Sequence, residues 1–487
     1  MYKFKYFFIA LLLGVSIFTH LYRINHTFIF HNDEARDVLI VKKMIDTRTP
    51  VLLGPQTSVG NMYLGPLYYY IMLPALIISN MDPVGPAIMV AIFGILTSIL
   101  LLYMGNKRHS FAAGMFAGLF YSLTPVMLHY SRSSWNPNII PFFAALLLVA
   151  WLEKSKWGWL ILGISAGAIF QLHYVGLVLV SLVGIAMLRN KPKWSDILIS
   201  IFGFIVVSSP FWLFEIRHNF VNSQAFLTFL RDGSQVSDVN SSYLSRIISN
   251  AKLVIQGIVG SSSIELAQAP SLLMLFFGIL IFIGLPLLGF ASFLWYLIIV
   301  SILIISILKE PMHVHYISFL FPVISLAIGE IATKSNWIIK LTTICALLLL
   351  MWHNIPTLIY NLNKIDSIQT IRSKAVADYI VNSSGGKSYN IVSTPGTYAT
   401  TIEYYLALSD NPPVTTYENL IFDICDGSPC PKSDETTVLV FGSGPTHPSI
   451  AEYLGHPSIN EFTKHRTIEK NELVSYSTWV ATMTIQP

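Results

Sequence analysis

The sequence predicts a polytopic α-helical membrane protein with a small α/β domain at its C-terminal end. Three observations carry this. Of the 487 residues, 53% are hydrophobic and only 11% charged, where a soluble domain carries roughly 25% charged residues. Long apolar runs recur as far as Ile359, many near the 20 or so residues a membrane crossing needs. Beyond residue 360 the pattern changes to short apolar patches separated by turn residues.

The elements follow in order. Lys3 and Lys5 precede an apolar run from Tyr6 to Leu21. No small-residue cleavage site follows it, so it is expected to stay as the first span. Further spans are expected at 84–105, 111–129, 138–152, 195–214, 270–288, 290–308, 314–332 and 337–354. The apolar stretch Trp159–Leu188 is interrupted by Gln171-Leu172-His173-Tyr174 and reads as two short helices meeting at a polar tip. That gives about eleven spans. Leu67–Ile78 is too short to cross and contains Pro74. It reads as an interfacial helix in the first outer loop, with Tyr68, Tyr69 and Tyr70 suited to that depth.

A net charge of +4 does not point to nucleic acid here. The basic residues fall where the positive-inside rule puts them: Lys3/Lys5, Lys107-Arg108, Lys154/Lys156, Arg189/Lys191/Lys193 and Lys334/Lys340 alternate with outward segments. The predicted setting is a plasma (inner) membrane with a cytoplasmic N-terminus. Domain 1–360 is then transmembrane and 361–487 extracytoplasmic, with helices at 366–382 and 397–408 and strands at 389–393 and 437–441. Three cysteines exclude a disulfide scaffold or a cysteine-rich metal site. Cys425 and Cys430 suit a small disulfide if their loop lies outside the membrane.

Polar clusters fall at the outer ends of spans. His31-Asn32-Asp33-Glu34-Ala35-Arg36-Asp37 admits two readings. Asn32 can cap a helix whose first turn is acidic. Alternatively, a carboxylate beside the membrane serves as a general base, with Arg36, three residues on, pairing with Asp33 to keep it ionised. Ser131-Arg132-Ser133-Ser134-Trp135-Asn136-Pro137 places a guanidinium where it can grip phosphate or snorkel to headgroups. Glu215-Ile216-Arg217-His218 adds Arg217 and His218, and Lys309 to Tyr316 adds His313, His315 and Tyr316. In a helix, residues at i and i+2 do not share a face, so the two histidines are expected to contact phosphate or hydrogen-bond rather than bind metal. A divalent metal is possible but not predicted, and no cofactor is certain. His173 at the polar tip is a candidate of the same kind. Ionisable residues this close to a bilayer are costly and point to function.

The order of these motifs resembles a known family. An Asp33-Glu34 pair follows the first span, then Gly65-Pro66-Leu67-Tyr68-Tyr69-Tyr70, then Ser131-Arg132 leading to Asn136-Pro137, then His315-Tyr316. Over roughly the first 350 residues this is similar to the lipid-carrier-dependent glycosyltransferases of the C superfamily, of the protein O-mannosyltransferase and aminoarabinose-transferase type. The resemblance implies a sugar donor on polyprenyl phosphate and an acceptor protein, lipid or glycan. It implies Asp33 as the base that activates an acceptor hydroxyl or amine, with Glu34 as its neighbour and Arg132 as the arginine of the Ser-Arg element. Two positions depart from the family. Gly65-Pro66 stands where the family often has Lys-Pro, and Asn136-Pro137 where it commonly has Asp-Pro. Donor-phosphate contacts are then left to Arg132, Arg217 and His315. The alternative is a transporter or flippase of a lipid-linked sugar, which would place polar residues on interrupted helices at mid-membrane.

Overall fold

The computed structural model describes residues 2–59, 61–153, 155–233, 241–259, 271–279, 282, 293–334, 337–365, 368–393, 399–414, 418–430, 439–440 and 466–485. Residues 270, 280–281 and 283–288 of the expected span 270–288 lie outside the described residues, as do the start of 290–308, Pro395-Gly396 and Gly442-Ser443-Gly444. Contacts divide the chain into two units. One comprises Met1–Thr27, Pro50–Ile78 and Val84–Lys364, the other Phe28–Thr49, Ser79–Pro83 and Ile365–Pro487.

In chain order the helices are α1 (Tyr2–Leu21), α2 (Ile24–Thr27), α3 (Asn32–Thr47), α4 (Leu67–Ile78), α5 (Val84–Arg108), α6 (Phe111–Leu123), α7 (Pro125–Tyr130), α8 (Ile140–Glu153), α9 (Lys156–Leu172), α10 (Leu177–Leu188), α11 (Trp194–Arg217), α12 (Val221–Asp232), α13 (Tyr243–Val259), α14 (Ser271–Ile279), α15 (Phe293–Ile305), α16 (Phe321–Lys334) and α17 (Trp337–Asn363). All but α3 belong to the first unit. Among the described residues, five helices are long and apolar enough to cross a membrane: Val84–Arg108, Asn136–Glu153, Trp194–Arg217, Val314–Thr333 and one that begins at Lys340. The others are shorter for a local reason. Thr124 leaves the helical region before Pro125 and splits the expected span 111–129 into α6 and α7. The polar tip at His173 separates α9 from α10 as expected. The amphipathic helices α12 and α13 were not foreseen.

Small residues let these helices approach closely, as membrane bundles require. A methyl group on Gly163 of α9 would lie 1.9 Å from the Ser200 carbonyl of α11. Hydroxyls join the first spans: Ser122 bonds Ser98 at 2.7 Å and Ser16 at 2.8 Å. Helix α4 has the predicted bounds, but Tyr68 and Tyr69 are buried in protein rather than laid along an interface.

The second unit holds a five-stranded sheet, in the order β3-β1-β2-β5-β4, from β1 (Asn390–Ser393), β2 (Ile421–Asp426), β3 (Leu439–Val440), β4 (Arg466–Ser475) and β5 (Thr478–Ile485). Strands β1 and β2 are parallel, joined through α19 (Ala399–Ala407); the other pairs are antiparallel. Its core joins Val376 and Ile380 of α18 (Ile368–Ser384) to Ile391, Ile402, Leu406, Phe422 and Val480. Cys425 and Cys430 form a disulfide. Helix α3 belongs to this unit although it precedes the sheet by hundreds of residues. Its buried face carries Ala35, Val38, Leu39, Val41 and Met44, it packs on α19, and Phe30 just before it meets the rings of Tyr404 at 5.7 Å and Tyr405 at 6.2 Å.

Candidate active site

The first turn of α3 is built by local chemistry. The helix starts one residue earlier than the sequence implied: His31, in extended conformation, is the N-cap, and Asn32 is already helical. Glu34 reaches back to accept the His31 amide at 3.0 Å, so this glutamate serves the helix start. Burial, reinforced by the neighbouring Asp33 charge, pushes the Glu34 carboxyl up to about 7. Asp33 differs. Its side chain is 51% exposed, and one oxygen accepts a charged hydrogen bond from Arg36 at 2.8 Å. The pairing expected from their spacing is therefore present. Arg36 is itself buried and also holds the fully buried Asp37 at 2.7 Å. One guanidinium thus bridges an interior carboxylate and an accessible one. The result is an oriented carboxylate beside a fixed positive charge.

In the first unit, Arg132 lies in the turn after α7 and is buried. It donates to the carbonyls of Thr19 and Tyr22, the latter at 2.8 Å, and to the Thr27 hydroxyl. The guanidinium thus clips the C-terminal end of the first span, where free carbonyls favour a cation. Burial lowers its pKa to about 10, which leaves it charged. Asn136 is equally committed: its amide donates to the Leu172 carbonyl at 2.8 Å, fastening the 130–136 loop to the end of α9 next to His173. Tyr68 reaches the same loop through Ser134 at 2.9 Å.

Around that junction the structure gathers rings. His315 lies 4.5 Å from Trp135, 6.2 Å from Tyr130 and 4.3 Å from Tyr316, centroid to centroid. His173 stands 4.6 Å from Tyr316. His313 and His315 stack in parallel at 5.6 Å. The two do share a face, against the i, i+2 expectation, because His313 is extended and precedes the 3-10 helix Val314–Leu320. Among the described residues of this unit, no three His, Cys, Asp or Glu bring ligand atoms within 4.8 Å of one another. Between its two helices, His173 is held well below its ordinary range by burial, at about 4, and is neutral. Imidazoles flanked by Trp and Tyr offer hydrogen-bonding nitrogens and flat apolar faces, which suit a sugar phosphate or a pyranose ring.

Arg217 and His218 are not part of this gathering. Both are exposed at the end of α11, where His218 stacks on Phe214 at 4.1 Å and bonds its carbonyl. Their neighbour Glu215 matters more than its sequence signal showed. It is fully buried and accepts the amides of Asn222, at 3.1 Å, and Ser223, at 2.7 Å. Asn222 in turn holds both backbone groups of Tyr63, and the Tyr174 hydroxyl donates to the Tyr63 carbonyl. This network fixes the 54–65 loop beside the His173 tip. Gly65 closes the approach, since a methyl group there would meet the Gln171 side chain at 2.2 Å. Trp135, Tyr130 and Asn222 were missed as site-forming residues. The aromatic pair flanks the Ser-Arg element and was legible there; nothing local marks Asn222.

No protein-family model matches the sequence, and no curated protein matches it significantly. Solved structures do resemble the fold. ArnT from Cupriavidus metallidurans bound to undecaprenyl phosphate superposes with a TM-score of 0.59 at 13% identity, covering 99% of this chain and 98% of that one. Its apo state gives 0.58 at 12% identity over the same shares. An Archaeoglobus fulgidus oligosaccharyltransferase in complex with Zn and sulfate gives 0.49 at 12% identity, covering 86% of this chain and 68% of that one; at that similarity it carries no argument. The ArnT match shows the fold along nearly the whole of both chains. Likeness at this level of identity shows the fold alone.

Proposed function

We propose that this chain, which has the fold of the C-superfamily enzymes, is a membrane glycosyltransferase that takes a sugar from a polyprenyl-phosphate carrier and passes it to an acceptor hydroxyl or amine, with Asp33 as general base. One observation carries the base assignment: of the three carboxylates at the start of α3, Glu34 and Asp37 are buried and Asp33 is half-exposed, braced by the buried Arg36 at 2.8 Å. Glu34 is assigned to positioning that turn through the His31 amide. In the reaction, Asp33 takes the proton of the acceptor group. The acceptor atom bonds the anomeric carbon, and the carrier phosphate leaves with the electrons of the broken C–O bond. The leaving charge calls for donors; within the first unit we assign that chemistry to the cluster of His313, His315 and Tyr316, with Arg217 a separate exposed cation at the end of α11. Arg132 and Asn136 are assigned to holding the scaffold of that cluster. The location follows the sequence reading: an inner membrane, with transfer on its outer face.

The test uses purified full-length protein and a panel of radiolabelled polyprenyl-phosphate sugars. Carrier-phosphate release should appear for at least one donor and require Asp33. Undiminished release by Asp33→Asn would remove the base assignment; no release from any donor, with lipid-linked sugar instead crossing the membrane in proteoliposomes, would favour transport.

A further inference from the structure

Away from the site discussed above, the other end of α9 borders a cavity of about 210 Å³. Its apolar wall is Trp151, Trp159 and Met187; its polar rim is Asn190, Lys191 and Lys193. Four elements converge there: the end of α8, the start of α9, the end of α10 and the start of α11. Among the described residues, neither lysine ammonium is paired with a carboxylate. Asp196, which also lines the cavity, turns one oxygen to the Lys193 amide at 3.1 Å and so serves the start of α11. Lys191 adopts a left-handed backbone conformation (φ 52°), uncommon outside glycine and asparagine. The surroundings are amphipathic. From the cavity, α11 carries an exposed apolar stripe, Leu198, Ile201, Phe202 and Ile205, spaced as one helix face. Trp157 and Trp194 are exposed on either side, 72% and 79%, as tryptophans are at a membrane–water interface.

We propose that this cavity binds the headgroup of an anionic phospholipid, with the two lysines on the phosphate and the acyl chains along the α11 stripe. Charge selects the class, because two unpaired ammoniums favour anionic over zwitterionic headgroups. The tryptophan wall and the stripe select a lipid over a free anion. Nothing in this proposal depends on the transferase reading.

The experiment uses full-length detergent-purified protein and native mass spectrometry. Phosphatidylglycerol and phosphatidylcholine are titrated separately, with inorganic phosphate as competitor, against wild type and the exposed double variant Lys191→Glu/Lys193→Glu. Phosphatidylglycerol is expected to be retained in preference to phosphatidylcholine, and the double variant to lose at least about tenfold of that retention, since each lysine near an anionic surface contributes roughly a fivefold factor. Phosphatidylcholine retention should not change. Equal retention of the two lipids, or a variant that keeps the preference, overturns the proposal. Complete displacement of phosphatidylglycerol by millimolar phosphate overturns the lipid assignment in favour of a simple anion site.

Discussion

Two buried arginines, Arg36 and Arg132, are used in opposite ways. Arg36 is bonded to carboxylates one and three residues away in sequence, one buried and one half-exposed. Arg132 is bonded to main-chain carbonyls and a hydroxyl about a hundred residues away. The first braces the carboxylate proposed as the base. The second secures the end of a helix. Both were legible as cations near a membrane face, and nothing in their residue type separated the roles. What separates them is the chemistry of the acceptor: charged carboxylates for Arg36, neutral carbonyls and a hydroxyl for Arg132.

The largest expected effect tests the reactive side of this contrast. Asp33→Asn should cut turnover by roughly 10²–10⁴-fold, the contribution usual for a positioned acid or base, while donor binding, measured by carrier-lipid affinity, stays near wild type. Next, Arg36→Met should strand Asp37 in the interior. Breaking a buried pair this way costs about 3–5 kcal/mol, visible as a lowered unfolding midpoint, and Asp37→Asn in the same chain should recover part of it. Retention of wild-type stability by Arg36→Met would mean that the pair contributes nothing. Arg132→Lys keeps the charge but loses the fork that spans Thr19, Tyr22 and Thr27. We expect a loss of roughly 1.5–3 kcal/mol with turnover per folded molecule unchanged. A selective rise in KM for the donor would instead make Arg132 a substrate contact. His315→Phe preserves the ring packing against Trp135 and Tyr316 and removes the donor, so kcat should fall about tenfold, the worth of one hydrogen bond, with donor KM nearly constant.

The smallest effect concerns pH. Burial raises the Glu34 carboxyl from 4.5 to about 7. Between those values the folded protein holds a proton that the unfolded chain releases, so this residue's contribution to stability declines as pH rises from 4.5 to 7 and is flat above. Glu34→Gln should leave the midpoint near pH 4.5 unchanged and raise it slightly at pH 8. A larger gain at low pH than at high would reverse the assignment.

Much of the helical frame was readable because apolar runs and basic loops are strong, repeated signals. Helix α4 matched its predicted bounds. Helix α3 began one residue early, because Glu34 favours capping at His31 over Asn32. Helices α12 and α13 escaped because amphipathic segments of mixed composition look like loops until a partner surface exists. The Asp33–Arg36 pair was legible because it is local in sequence. The ring cluster was only half legible: His173, Trp135 and His315 come from three distant segments, and the helix rule that separated His313 from His315 did not apply to an extended residue. The commitments of Arg132, Asn136 and Glu215 were invisible, since main-chain acceptors leave no trace in a sequence.

The membership of α3 in the second unit has a consequence for biosynthesis. The helix that carries Asp33 leaves the ribosome early, yet the residues it packs against, from Ala399 to Ala407, are made near the end. At about 5–20 residues per second, α3 waits tens of seconds for its partner, with the apolar face of Val38, Leu39 and Val41 unmatched. Shortening the chain at residue 360 therefore does more than remove an appendage: it takes away the packing surface of the proposed base. A truncated protein that inserts normally and transfers no sugar would report a helix left waiting for a partner that never arrives.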